Sequence, residues 1–530
     1  MNKIYYNGDF ITLESEKNKV EAIFIEDGMI KKVGKKEQIF AYKNTKTKMI
    51  DLRGKTMMPS FIDAHSHFSG VANHLLKINL EKCKNFEEIQ RELIKFVKEN
   101  KIKEENWIIG TGYDHNNLQE KKNPTKEIID EVLPNYPVVL EHKSCHAGVF
   151  NSMALNRLNV TNKVENIDGG KIEKNGQELT GYMEEKAFLM YQKQIPLPDI
   201  KTLLEAYDKA QREYAEYGIT TIQDGMAYKS IIPIYEELIR NNKLQLDLVI
   251  YFDPKDKNIF FNQFKDHIRT YKKRFKIGGY KIFLDGSPQA RTAWMRMPYQ
   301  GEKDYWGYGT MKKEEVEDAI RKANEDKMQL LAHCNGDMAA KQYIDCIEKY
   351  KEIEKLRPVM IHAQFLGVDQ IKKVKECGII PSFFIAHVFY WGDTHIKNFG
   401  LERASKISPA NTALKEGIPF NFHQDSPVIK PNMFETIWCA VTRKTKEGKI
   451  LGEEEKITVL DAIKAVTIHS AYQYFEEKKK GSIKEGKLAD LIIINKNPLK
   501  IEKEEIKDIR VLETLKEGKV IYKNQILNCL

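Results

Sequence analysis

The stretch Pro59-Ser60-Phe61-Ile62-Asp63-Ala64-His65-Ser66-His67-Phe68 decides how this 530-residue chain is read. Its apolar first half, from Met58 to Ile62, reads as a buried strand, too short for a helix. It runs directly into two histidines one residue apart. On an extended chain successive side chains alternate, so His65 and His67 point to the same side.

Working outward, seven further segments have the same form, a short apolar run followed by helix-period text. They are ITTIQDG (219–225), LDLVIYF (246–252), GGYKIFLDG (278–286), MQLLAHC (328–334), PVMIHAQ (358–364), GIIPSFF (378–384) and IPFNFHQD (418–425). Together with MMPSFIDAH (57–65) they make eight strands. Helical text such as KEEVEDAIRKANED separates them, and eight alternating βα units predict an α/β, TIM-like (β/α)8 barrel.

The chain outside this repeat has its own grammar. The first 57 residues are short β runs punctuated by Asn-Gly, Asp-Gly and Arg-Gly turns, and residues 482–530 read alike. The expected organisation is a small composite β-sandwich domain from both termini, 1–57 plus 482–530, around a barrel at 58–481. The gap after the first strand is far too long for one crossover. It predicts an inserted α/β subdomain at about 70–205, containing NWIIGTGY and YPVVLEH, that covers the barrel mouth.

Barrel chemistry collects at the carboxyl ends of the strands. Here those ends carry His65 and His67 on strand one, Lys281 with Asp285 on strand four, His333 on five, His362 on six and Asp425 on eight. Singly, each has an ordinary reading as a hydrogen-bonded core group, a strand-edge lysine or a helix cap. The chain has only 13 histidines, and four of them at three such ends point to a divalent metal such as Zn2+. A buried lysine is driven towards its neutral amine, which can take up carbon dioxide as a carbamate. The resulting expectation is two zinc ions, with one metal or Mn2+, Fe2+ or Co2+ as alternatives. His65, His67 and Asp425 hold one, His333 and His362 the other, and carbamylated Lys281 bridges them.

Bulk properties exclude other classes. The net charge is +9, but lysine is interleaved with glutamate, as in EKKKGSIKEGK, rather than gathered on one face, so no nucleic-acid partner is expected. No apolar run reaches the length of a membrane span, about 18 residues. Seven cysteines without a CxxC pair, and a start that reads as strand and turn, predict free thiols and a cytoplasmic protein.

With these residues in hand, the chain resembles the amidohydrolase superfamily, in particular its amidohydrolase-3 group of YtcJ-like metal-dependent hydrolases. PSFIDAHSHF looks like the first-strand motif of that group. NSMAL (151–155), TGYMEEKA (180–187), YGITTIQD (217–224) and KIFLDGSPQARTA (281–293) look like its internal blocks. HCNGDMA (333–339), IHAQFL (361–366) and DSPV (425–428) are similar to its fifth, sixth and eighth strand blocks, and GSIKEGKLADLIII to its return into the β domain. The resemblance implies hydrolysis of a carbon–nitrogen bond other than a peptide bond, the same six metal-site positions, and a homodimer. The chain departs from the group where His423-Gln424 replaces a Gly-Ser, and where FFIAHVFYWGDTH, with His387 and His395, replaces a Gln-Pro.

The expected chemistry is attack of a metal-activated water on an amide-like carbonyl, with Asp425 as ligand and general base. The substrate is a small molecule, an N-acyl or N-formyl compound with an apolar or aryl part. Ring-opening of a cyclic amide or lactone, deamination, and an inactive binding or assembly relative are the alternatives. Candidate substrate contacts are His146, His387 and His423 for an oxyanion, Arg291 for a carboxylate, and Trp294 and Trp391 among aromatic loop residues.

Overall fold

The computed structural model describes residues 2–14, 20–144, 146–196 and 198–524. The chain divides into two compact units, Met1–Gly70 with Ala210–Leu530, and Val71–Lys209.

The first unit is built on one eight-stranded parallel sheet. Its strands are β1 (Phe61–Ile62), β2 (Ile219–Asp224), β3 (Asp247–Phe252), β4 (Phe275–Phe283), β5 (Gln329–Cys334), β6 (Val359–His362), β7 (Ile380–Phe383) and β8 (Asn421–Phe422). They pair strictly in sequence order from β1 to β8; seven lie within segments expected from the apolar runs, and β4 overlaps its expected 278–286 but begins three residues earlier. β2 and β3 are buried along their whole length, as parallel strands covered on both faces must be. The sheet is that of an α/β TIM-like barrel. No ladder joins β1 to β8. The seam is closed just beyond their ends, where Asp425 N–H donates to His65 O (3.2 Å) and His67 N–H to Ser426 O (2.8 Å).

The expected first strand is cut in two. Thr56–Pro59 pairs antiparallel with Leu491–Ile494 in a separate five-stranded sheet, and only Phe61–Ile62 joins the barrel. Ser60 sits between them, its hydroxyl 2.6 Å from that of Thr220. The five-stranded sheet also contains Asp9–Phe10, Val511–Lys516 and Lys519–Lys523, so both ends of the chain contribute to it. A four-stranded sheet of residues 2–51 shares a core with it, including Tyr5, Ile23, Ile25, Met57, Leu491 and Leu515. Residues 525–530 lie outside the described residues.

A buried charge network ties these terminal strands to the amino ends of the barrel strands. Asp247, opening β3, meets Lys480, Lys516 (2.6 Å) and Arg274 (3.0 Å), and Lys516 also meets Asp490 (2.6 Å). Burial pushes the Asp247 carboxyl up, but the three cations outweigh it and hold it far below the carboxylate range.

The Val71–Lys209 unit carries a mixed six-stranded sheet, in spatial order Gly170–Asn175, Glu178–Glu184, Ala147–Phe150, Val138–His142, Ile108–Tyr113 and Lys77–Asn79. Alternation along Val138–His142 sends Val138 and Leu140 into one core with Ile89 and Leu93, and Val139 into another with Phe150 and Phe188. The described cysteines, Cys83, Cys334, Cys346, Cys377 and Cys439, are free and buried; Cys145 and Cys529 lie outside the described residues. Among those residues no helix is long and apolar enough to cross a membrane.

Candidate active site

The segment after β1 is held from both sides. Asp63 N–H donates to Thr221 O (3.0 Å) and Gly225 N–H to Ser66 O (2.7 Å), while the seam bonds fix it to Asp425 and Ser426. His65 packs so closely on Gly225 that a Cβ there would lie 2.3 Å from His65 Cε1, so only glycine fits.

This places three ligand atoms together. His67 Nε2 is 3.2 Å and His65 Nε2 3.5 Å from Asp425 Oδ1. That oxygen is buried and makes no well-aligned hydrogen bond. A buried acceptor facing two imidazole nitrogens without a hydrogen bond is costly unless something positive joins them, and a divalent cation fits. Asp425 and His362 both adopt left-handed backbone (φ 57° and 71°). Non-glycine residues pay for that conformation, and such strain clusters at sites where a side chain must be aimed.

The neighbouring groups fix which nitrogen each imidazole presents. Gln223 Nε2 donates to Ala64 O (2.7 Å) and lies 2.8 Å from the Tyr474 hydroxyl, which leaves Gln223 Oε1 as the acceptor for His65 Nδ1–H at 2.6 Å. The His65 Nε2 lone pair therefore faces Asp425. His333 Nδ1–H donates likewise to Asp285 Oδ1 (3.1 Å), a carboxylate that also accepts from the backbone of Trp294, Asn335 and Gly336. Such partners set the tautomer and orientation of a ligating histidine. His362 Nδ1 lies 3.1 Å from His423 Nε2, and His423 Nδ1 lies 2.8 Å from Ser382 Oγ. The rings of His333 and His362 meet edge to face, with centroids 4.6 Å apart.

Lys281 is fully buried, with Nζ 3.4 Å from His65 Nε2. Burial lowers its pKa to about 7, partly opposed by Asp425. Burial and, next, Lys281 push His65 well below its ordinary value; burial and His333 do the same to His362. All of these act to keep the cluster uncharged except at Asp425. There burial alone would raise the pKa, but the His67 contact and nearby positive charge outweigh it, and the carboxyl stays below its usual value.

The six expected metal-site residues thus line the carboxyl ends of one sheet. Among the described residues of the barrel, His65, His67 and Asp425 are the group whose ligand atoms all lie within 4.8 Å of one another. The expected substrate residues divide. His423 is buried beside His65 and His362, with ring centroids 5.2 and 5.1 Å away. His387 joins Phe384 and Trp391 in an aromatic cluster (4.7 and 4.4 Å) and meets His395 Nε2 through Nδ1 at 3.2 Å. Trp294 packs its ring on Gly309. Arg291 pairs with Glu302 at 3.0 Å and is one-third exposed. His146 belongs to the Val71–Lys209 unit, where it is largely exposed and meets Glu185 at 3.0 Å. Gln223, Ser382 and Asn335 were not among the expected site residues. Gln223 is the penultimate residue of β2, so the strand-end rule that selected the ligands also reaches it.

Comparison with known proteins agrees with this geometry. Residues 48–522 match the Amidohydrolase family. The chain is 27% identical to the putative amidohydrolase YtcJ of Bacillus subtilis, over 98% of this chain and 99% of that one. It is 24% identical to the N-substituted formamide deformylase of Arthrobacter pascens, over 97% of each. Its fold is similar to that of a metal-dependent hydrolase from Pyrococcus furiosus, with a TM-score of 0.78 at 24% identity, over 94% of this chain and 100% of that one. A histidine–aspartate cluster at the carboxyl ends of an eight-stranded barrel and a match along nearly the whole chain lead to one assignment: the protein belongs to the amidohydrolase family and is a metal-dependent hydrolase of carbon–nitrogen bonds.

Proposed function

We propose that this protein hydrolyses the amide bond of a small N-acyl or N-formyl compound with an apolar or aryl substituent, using two zinc ions bridged by carbamylated Lys281. The observation that carries the reading is the convergence of His65 Nε2, His67 Nε2 and Asp425 Oδ1 beside a buried lysine. When bound, the metal supplies Lewis-acid polarisation of the carbonyl and a water of lowered pKa. His65, His67 and Asp425 would hold one ion, and His333 and His362 the other. Gln223, Asp285 and His423 orient the imidazoles. With a pKa of about 7, a large share of Lys281 is uncharged at neutral pH. The neutral amine forms a bond from Nζ to the carbon of carbon dioxide and releases one proton, leaving a carbamate whose two oxygens suit a bridge. Asp425 accepts the proton of the attacking water at a carboxylate oxygen and delivers it to the departing nitrogen.

The substrate class is supported by two observations. Phe384 is ringed by His423 (5.4 Å), His387 (4.7 Å), Trp391 (5.9 Å) and His362 (6.2 Å), an aromatic wall against the ligand cluster. The full-length similarity to a protein named as an N-substituted formamide deformylase points to the acyl group. The test is a substrate panel on zinc-loaded protein: N-phenylformamide, its N-acetyl counterpart, a lactam, a lactone and an amidine. Release of formate or acetate with the free amine is expected. Turnover confined to the ring compounds or the amidine would replace this reading with ring-opening or deamination.

A further inference from the structure

We propose that Asp114, His115 and His142 form a second, independent site for a divalent transition metal, built entirely from the Val71–Lys209 unit. The strands Ile108–Tyr113 and Val138–His142 run parallel, with His142 opposite Tyr113 after a register shift at Glu141/His142. Asp114 and His115 leave the end of one strand where His142 ends the other. The register therefore delivers three donors to one point.

The distances suit one ion. His115 Nδ1 lies 3.2 Å from His142 Nε2, and His142 Nε2 lies 3.8 Å from Asp114 Oδ1. One ligand atom from each of the three residues lies within 4.8 Å of the other two. Metal–ligand bonds near 2.1 Å in tetrahedral array separate their donor atoms by roughly 3.4 Å, and the two measured spacings bracket that value. Two imidazoles and one carboxylate favour zinc, cobalt, nickel or copper over magnesium or calcium. Three protein donors leave a position open to water or to a ligand atom.

The donors are held from behind. Asp114 Oδ1 accepts from Asn116 N–H (2.9 Å) and Asn116 Nδ2 (3.1 Å), and its Oδ2 from Asn117 Nδ2 (3.4 Å). His142 Nδ1 lies 2.9 Å from Ser144 Oγ and 3.1 Å from Ser144 N. The edge-on ring of Tyr113 packs against His142, at 82° and 5.2 Å. Support of this kind orients ligating side chains.

Two ring nitrogens 3.2 Å apart need something between them. Without metal it is a proton: Ser144 N–H donates to His142 Nδ1, so His142 carries its hydrogen on Nε2 and gives it to His115 Nδ1. With metal, both nitrogens present lone pairs to the ion. The His142 proton then resides on Nδ1 and is donated to Ser144 Oγ, and the bond that Nδ1 accepted from Ser144 N–H is given up. His142 neither gains nor loses a proton overall; the ion takes the place of the shared hydrogen.

The test uses the full chain and cobalt(II) or zinc(II) alone, with bound metal measured by equilibrium dialysis and elemental analysis. Wild type should hold one more equivalent than His115→Ala/His142→Ala. His65→Ala/His67→Ala, which disables the barrel trio, should keep that equivalent, so the outcome does not depend on the barrel reading. Asp114→Asn keeps the shape of the side chain, and affinity at this site should fall at least tenfold. Equal metal content in wild type and the folded His115→Ala/His142→Ala protein would overturn the site. If that double variant does not fold, an unchanged affinity in Asp114→Asn would overturn it equally.

Discussion

Asp425 is asked to do two things that pull against each other. As a ligand it must stay ionised, and as a base it must give up a proton it has accepted. Its carboxyl, held below the usual value despite burial, meets the first demand, and Oδ1, which makes no well-aligned hydrogen bond, is free to meet the second. Asp425→Asn keeps the shape and loses the basic oxygen. Its kcat/KM should fall by about 10²- to 10⁴-fold, the range for removing a general base, while zinc bound per chain stays close to wild type. Retained turnover with retained zinc would remove Asp425 from the proton path. The positions of Asp425 and the other proposed ligands at strand ends were legible in the sequence because strand ends are set by where apolar runs stop. Their supporting partners were not. That Gln223 should serve His65, and Asp285 should serve His333, depends on the relative register of β1, β2, β4 and β5, which no single segment encodes. His423 was visible as a departure from the family pattern, but its contact with His362 needed the neighbouring strand to be placed.

The elements tell a similar story at their two ends. Eight apolar runs announced the eight strands, yet β8 retains only Asn421–Phe422 of the expected 418–425, because the chain leaves the ladder to aim His423 and Asp425. The first strand is shared between two sheets for a reason no periodicity reveals: Met57 and Met58 meet partners more than 400 residues later in the chain, Ile492 and Ile493. At the opposite end of the strands, Asp247 anchors β3 to Lys480 and Lys516 of the terminal segments. Removing one member of a buried ionic group strands the others. Asp247→Asn should therefore lower unfolding stability by about 3–5 kcal/mol, measured by denaturant titration at pH 7. The sign with pH follows from the shift. The Asp247 carboxyl titrates lower in the folded chain than in the unfolded one, so its stabilisation is complete above the ordinary value of 3.8. It fades as pH falls below about 4, through the depressed folded value. The gap between wild type and variant should narrow over that acid range; a gap constant down to pH 2 would separate Asp247 from the effect.

At the scale of the whole molecule, the net charge of +9 says little about partners, whereas the two proposed metal sites fall one in each compact unit. A ligand that binds only the folded state stabilises it by mass action, by about 4 kcal/mol at a thousandfold excess over Kd. Chelation of the zinc-loaded protein should thus lower the melting temperature of the unit that contains the barrel, and readdition of zinc should restore it. An unchanged melting profile would mean that the barrel site contributes no binding energy to folding. The reason lies in the seam. β1 and β8 share no ladder, and the barrel closes through the backbone of His65, His67, Asp425 and Ser426. Three of those four residues are also the proposed metal ligands. An ion bound there bridges the first and last staves of the ring, as a clasp does on a band whose ends merely touch. Loss of the ion should leave the circle closed there by backbone hydrogen bonds alone, and the segments on either side, 63–67 and 425–429, should be the first of the sheet to be cut by proteases.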